Sequence, residues 1–132
     1  SVFTISNNGH VNAQNDPFIG YIFSEVEGYS KFGRYQSSGA TFVSTGFRPK
    51  VVLFKSAVSA HWVIMDTDRD VNNGMENHLH PNLNNGEATA SDRVDFLSNG
   101  FRLISNYGET NDGQVYYYAA FAESPFKYSR AR

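Results

Sequence analysis

The stretch VDFLSNGFRL, residues 94–103, decides the fold. Apolar and polar residues alternate on both sides of Asn99-Gly100, the pattern of two strands joined by a two-residue turn. Asn-Gly supplies the two positive φ angles of a type I′ turn, and that turn sets the register. Ser98 then faces Phe101, Phe96 faces Leu103 and Val94 faces Ser105. Val94, Phe96, Phe101 and Leu103 share one face, the predicted core face. The other face carries Leu97 opposite Arg102 and Asp95 opposite Ile104.

Working outward, the same alternation recurs along the chain. Downstream, Asp112-Gly113 makes a second turn and Gln114–Glu123 a long final strand. Upstream, Val2–Ser6 is a short strand candidate. Phe18–Val26 reads as a central strand because both of its sides are apolar. Tyr29–Tyr35, Ala40–Thr45, Val51–Lys55 and Ala60–Asp66 follow as further strands. Residues 67–91 are a long irregular stretch, and a loop of that length in a compact domain usually carries function. The tally is eight or nine strands with no helix, which predicts an all-β, antiparallel two-sheet sandwich of jelly-roll-like form. The absence of any βαβ pattern argues against a nucleotide-binding parallel sheet.

Composition agrees. The chain has 132 residues, enough for a single domain over 1–132 with its own core. Eleven Phe and eight Tyr suit a pleated surface, and eleven Gly suit tight turns. With no Cys there is no disulfide framework, zinc–thiolate site or thiol nucleophile. A net charge of −2 gives no phosphate-binding face, so no nucleic-acid partner is expected. No run is long enough to span a bilayer, and no membrane insertion is expected. The chain opens at Ser1 directly into an apolar run, which reads as a processed chain or the C-terminal part of a longer protein.

A phrase is spelled twice: FSEVEGYSKFGRY at 23–35 and FAESPFKYSRAR at 121–132. In a strand, Phe23 and Glu25 share a face, as do Phe121 and Glu123. With each Phe in the core, each Glu sits at its margin and needs a partner, since a bare buried carboxylate is costly. Lys31 or Arg34 in one copy, and Lys127 or Arg130 in the other, are the expected partners.

Five blocks, EVEGYSKFGRY at 25–35, TGFRPKVVLFK at 45–55, WVIMDTDRD at 62–70, VDFLSNGFRL at 94–103 and YYYAAFAESPFKYSRAR at 116–132, together look like an uncharacterised domain. The chain resembles the C-terminal domain of tail and fibre-type structural proteins of tailed bacteriophages, the marine type in particular. The resemblance implies a virion context, on a tail or surface fibre. It also implies a homotrimer, because such fibres are generally three-fold. It carries no catalytic residues.

Candidate chemistry is sparse. Asp66, Asp68 and Asp70 suggest a calcium loop, but an EF-hand counted from Asp66 needs Gly and Glu where Val71 and Asn77 stand. They read instead as a strand end and a turn with Arg69. His78 and His80, two apart, could chelate a transition metal if Glu76, His61 or His10 gave a third ligand, but polar loop histidines are the plainer reading. Neither a metal nor a cofactor is assigned. No nucleophile elbow, Walker loop or zincin motif is present, and no carboxylate pair stands out by spacing, so no enzymatic activity is expected.

Recognition is the remaining possibility. Sugar sites use an aromatic platform ringed by Asn, Asp and Gln. The available pieces are Trp62, His78, His80, Asn82, Asn84, Asn85, Tyr107, Tyr116 and Tyr118, the last two on one face of the final strand. Trp62 follows a strand period and is expected to be buried. The expected contact surface is the loop 72–91 with help from 107–112. The predicted role is a tail-fibre or receptor-binding tip adhering to a host-surface glycan or protein. The alternative is a head-fibre, decoration or assembly module mating with other virion proteins, marked by a contiguous apolar exposed face.

Overall fold

The computed structural model describes every residue except Ser1, Phe3, Asn7 and 125–132, together with all side chains of those residues but 90–93. Eight strands form: β1 (Ser30–Gln36), β2 (Phe42–Ser44), β3 (Pro49–Ser56), β4 (Trp62–Asp66), β5 (Met75–His78), β6 (Ala88–Leu97), β7 (Gly100–Leu103) and β8 (Val115–Ala122). They pair antiparallel in two four-stranded sheets, ordered β1-β8-β3-β4 and β2-β7-β6-β5. Among the described residues there is no helix. The protein is an all-β, antiparallel sandwich.

Alternation along each strand builds the core. Tyr116, Tyr118, Ala120 and Ala122 of β8 point inward beside Val52 and Phe54 of β3 and Val63 and Met65 of β4. Val94, Phe96, Phe101 and Leu103 answer from the other sheet with Met75. Phe101 sits at the centre, edge-on to Tyr118 at 5.3 Å, Phe54 at 5.4 Å and Tyr35 at 6.0 Å. Such T-shaped contacts add to the area these rings bury.

The predicted core face of the β6–β7 hairpin is correct, but its register is not. Phe96 pairs with Phe101, Val94 with Leu103 and Asp95 with Arg102, so the turn is Ser98–Asn99 and Gly100 lies in β7. Neither Asn99 nor Gly100 has a positive φ, so the turn is not type I′. The slip left every side chain on its face, because Phe96 moved from one partner to another two residues away. The ion pair of Arg102 with Asp95, at 2.5 Å, fits the observed register. Gly100 is there for space: a Cβ would overlap the carbonyl oxygen of Val43 on the paired strand β2.

The N-terminal expectations are overturned. Phe18–Glu25 forms no strand, and Ile19 and Tyr21 are 83% and 81% exposed. The central positions of that sheet are held by β8 and β3, and two-sided apolarity alone did not identify a backbone partner. The described residues of Val2–Ser6 form no strand either. The irregular stretch 67–91 also proves partly ordered, containing β5 and the start of β6.

The repeated phrase resolves on the outside of the sandwich. Phe23 and Phe121 are not core residues. Phe23 stacks on Phe32 and meets Phe121 edge-on, each at 5.9 Å, over the outer face of the first sheet. Glu25 does pair with Lys31, at 2.9 Å, which together with the Phe32 amide holds its carboxyl below the usual range. Glu123 pairs with Arg48 at 3.2 Å; the partners expected for it, Lys127 and Arg130, lie outside the described residues.

Candidate functional site at one end of the sandwich

The strand registers gather four connections at one end: the end of β1, the β3–β4 turn, the β5–β6 loop and the β7–β8 loop. The β7–β8 loop is folded on itself by paired bonds between Tyr107 and Asn111. Core phenols hold it from beneath. Tyr35 donates to the Thr110 carbonyl at 2.7 Å, and Tyr116 donates to the Gly108 carbonyl at 2.9 Å while accepting the Asp112 N–H at 3.0 Å. Asn111 ties the loop to the Gly39 and Ser105 carbonyls, each at 2.9 Å. Burial raises the pKa of both phenols, so each stays a neutral donor.

This loop presents Tyr107 and Glu109 to the end of β5. Glu109 lies 2.7 Å from Nε2 of His80 and accepts a short hydrogen bond from the Tyr107 hydroxyl. His78, buried at the end of β5, places Nε2 3.3 Å from the Tyr107 oxygen and Nδ1 3.2 Å from the Glu76 carbonyl. A carbonyl only accepts, so Nδ1 of His78 carries a proton. Burial favours the neutral Glu109 carboxyl, but the bonds from Tyr107 and His80 and the nearby charge of His80 and His61 outweigh it and keep the pKa low. The His61 ring packs edge-on to His80 at 5.6 Å, and its Nδ1 meets Asn82 at 3.2 Å. Asn82 in turn accepts the Trp62 backbone N–H at 2.9 Å.

His78, His80 and Tyr107 therefore converge, and Asn82 joins them through His61. Asn84 and Asn85 are exposed in the adjoining loop. Tyr116 and Tyr118 do not belong to any contact surface: they are 0% and 8% exposed, in the core. Tyr117, between them, is 51% exposed, and Trp62 is 41% exposed rather than buried. Both lie on the outer face of the first sheet, where the register aligns Arg34, Tyr117, Lys55 and Trp62 in one row. The rows behind are apolar: Phe32, Ala119, Leu53 and Ile64, then Phe121 beside Val51. Glu109 falls within the 107–112 segment expected to assist the contact surface, but nothing singles it out as a partner of His80, 29 residues away in sequence.

The three aspartates are engaged elsewhere. Asp66 accepts the N–H groups of Asp68 and Arg69 and pairs with the Arg69 side chain; Asp68 pairs with Lys50. Asp70 accepts the N–H groups of Glu76 and Asn77 at 3.0 and 2.8 Å. Asp66 thus ends β4 and, with Arg69, shapes the turn that follows, as read from the sequence; Asp68 and Asp70 are instead held by Lys50 and by the Glu76 and Asn77 amides.

Fold and site together define an antiparallel β-sandwich domain with a histidine–carboxylate cluster and exposed aromatics at one end. The chain belongs to the family described as Domain of unknown function (DUF7483), whose model matches residues 1–125. Nothing among the curated proteins or the solved structures matches it.

Proposed function

We propose that this domain is a contact module displayed on a tailed-bacteriophage virion, a tail-fibre or receptor-binding tip that adheres to a host-surface glycan or protein. The virion context rests on the five sequence blocks that resemble such structural proteins. The observation that carries the adhesive reading is the row Tyr117–Lys55–Trp62, with His61 and Asn82 at its end. Strands are about 4.8 Å apart, so two strand spacings separate the rings by about 10 Å, a span for adjacent sugar units. Aromatic faces take the apolar side of a sugar ring, and amide and imidazole groups take its hydroxyls. Loops on a rigid sheet scaffold are where recognition concentrates. The module works as a homotrimer in this proposal, and it acts by binding, without catalysis.

The test is a glycan array and host-cell binding with the domain in its native oligomer. Trp62→Ala with Tyr117→Ala abolishes binding while leaving the fold intact. Binding that survives the double variant discards this surface; an oligomer that ignores cells its parent virus infects discards adhesion.

A second reading, an assembly module mating with another virion protein, is favoured by the apolar rows of the outer face and the exposed run Ile19, Tyr21, Ile22 and Phe23. Under it, charge substitutions at Ile19 and Ile22 block incorporation into particles but leave host binding by the isolated domain unchanged.

A further inference from the structure

We propose that His78, His80 and Glu109 bind one divalent transition-metal ion of the zinc type. Each offers a ligand atom, and those atoms lie within 4.8 Å of one another. Bonds of about 2.0–2.2 Å from two imidazoles and a carboxylate make a common zinc donor set, and the fourth corner is left to solvent or a further donor. His61, exposed and packed against His80, is available for that corner.

Three features separate this cluster from a mere hydrogen-bonded trio. His78 already gives its Nδ1 proton to a backbone carbonyl, the arrangement that orients a metal-ligating imidazole. His80, whose side chain is 10% exposed, has a buried Nδ1 with no hydrogen-bond partner among the described residues. A buried ring nitrogen without a partner is costly, and coordination of a cation by that ring removes the cost. Third, the donors come from two connections fixed independently, one by β5 and the other by the core phenols Tyr35 and Tyr116. Glu109 has two oxygens, so it can face His80 through one and the ion through the other.

Two imidazoles disfavour calcium and magnesium, which take oxygen ligands, and favour zinc, cobalt, nickel or copper. The inference stands apart from the adhesive reading: it needs none of Tyr117, Lys55 and Trp62, and the two have only His61 in common.

The experiment uses the untagged full chain, stripped with a chelator and titrated calorimetrically with zinc. Saturation at one ion per chain is expected, with a raised melting temperature and no response to calcium. Cobalt(II) should give the visible absorption of a four-coordinate site. Glu109→Gln and His80→Asn should each weaken zinc binding at least about tenfold; His10→Asn, outside the cluster, should leave it unchanged. If a variant does not fold, the cobalt spectrum of the parent and its displacement by zinc decide the matter. The proposal is overturned by the absence of saturable one-to-one binding in the parent. Equal affinity in Glu109→Gln and His80→Asn, or loss in His10→Asn, overturns it as well.

Discussion

Tyr116 and Tyr117 are neighbours on β8, yet they belong to opposite sides of one sheet and do opposite things. On the inner side, Tyr35 and Tyr118 meet Phe101 edge-on, Tyr116 stacks on Tyr35, and the hydroxyls of Tyr35 and Tyr116 reach out of the core to fix the β7–β8 loop. On the outer side, Tyr117 and Trp62 stand in solvent at either side of Lys55. The same residue types thus serve as scaffold on one face and as available contact surface on the other. Aromatic content alone does not locate a binding site in such a domain; the phase of the strand does.

That contrast can be broken chemically. Burial raises the pKa of Tyr35, Tyr116 and Tyr118, with smaller opposing influences, such as Lys31 on Tyr118. A raised folded-state value means the neutral phenols contribute stability that is complete below the unfolded value of about 10 and lost as pH climbs from there through the raised folded-state values. Cooperative unfolding in the alkaline range is expected. Absorbance at the phenolate band should show the inner tyrosines ionising only with loss of the β signal in circular dichroism; ionisation of all eight Tyr before unfolding would erase the distinction.

Phe101→Ala is the next largest break. Its ring is fully buried, and its removal should cost about 3–5 kcal/mol in denaturant unfolding, a large share of a small domain's stability. Tyr116→Phe keeps the ring and removes the hydroxyl's two bonds to the β7–β8 loop. A loss of about 1 kcal/mol is expected, with faster amide exchange at Gly108 and Asp112 as the more telling readout. Trp62→Ala and Tyr117→Ala should be the mildest, each within about 0.5 kcal/mol of the parent in the same unfolding assay. A loss comparable to that of Phe101→Ala at either outer position would mean the outer face is structural.

How much of this was readable in advance follows from what strands encode. Alternation assigned Val94, Phe96, Phe101 and Leu103 to one face and correctly made that face the core. It places Tyr116 and Tyr118 together but does not say which side of the sheet meets the second sheet, so core and contact roles look alike for them in sequence. Register was misjudged because an Asn-Gly pair normally sets the turn, whereas here packing of Gly100 against β2 and the Asp95–Arg102 pair go with a different one. Phe18–Val26 looked central because hydrophobic residues on both sides describe an outer aromatic cluster as well as they describe a core. His78 and His80 are legible as a pair; Glu109 is not, because its approach depends on a loop held in place by Tyr116 just after it and by Tyr35, far away in sequence.

The backbone bridge between Ile64 and Leu79, with N–H···O contacts of 3.0 and 3.1 Å, joins the outermost strand of one sheet to the segment leaving β5 of the other. It works like the spine of a book. Any breathing of the two covers has its hinge there and its widest opening on the far side, along β1 and β2. Deuterium should therefore enter those outer strands early and reach the Ile64 and Leu79 amides late.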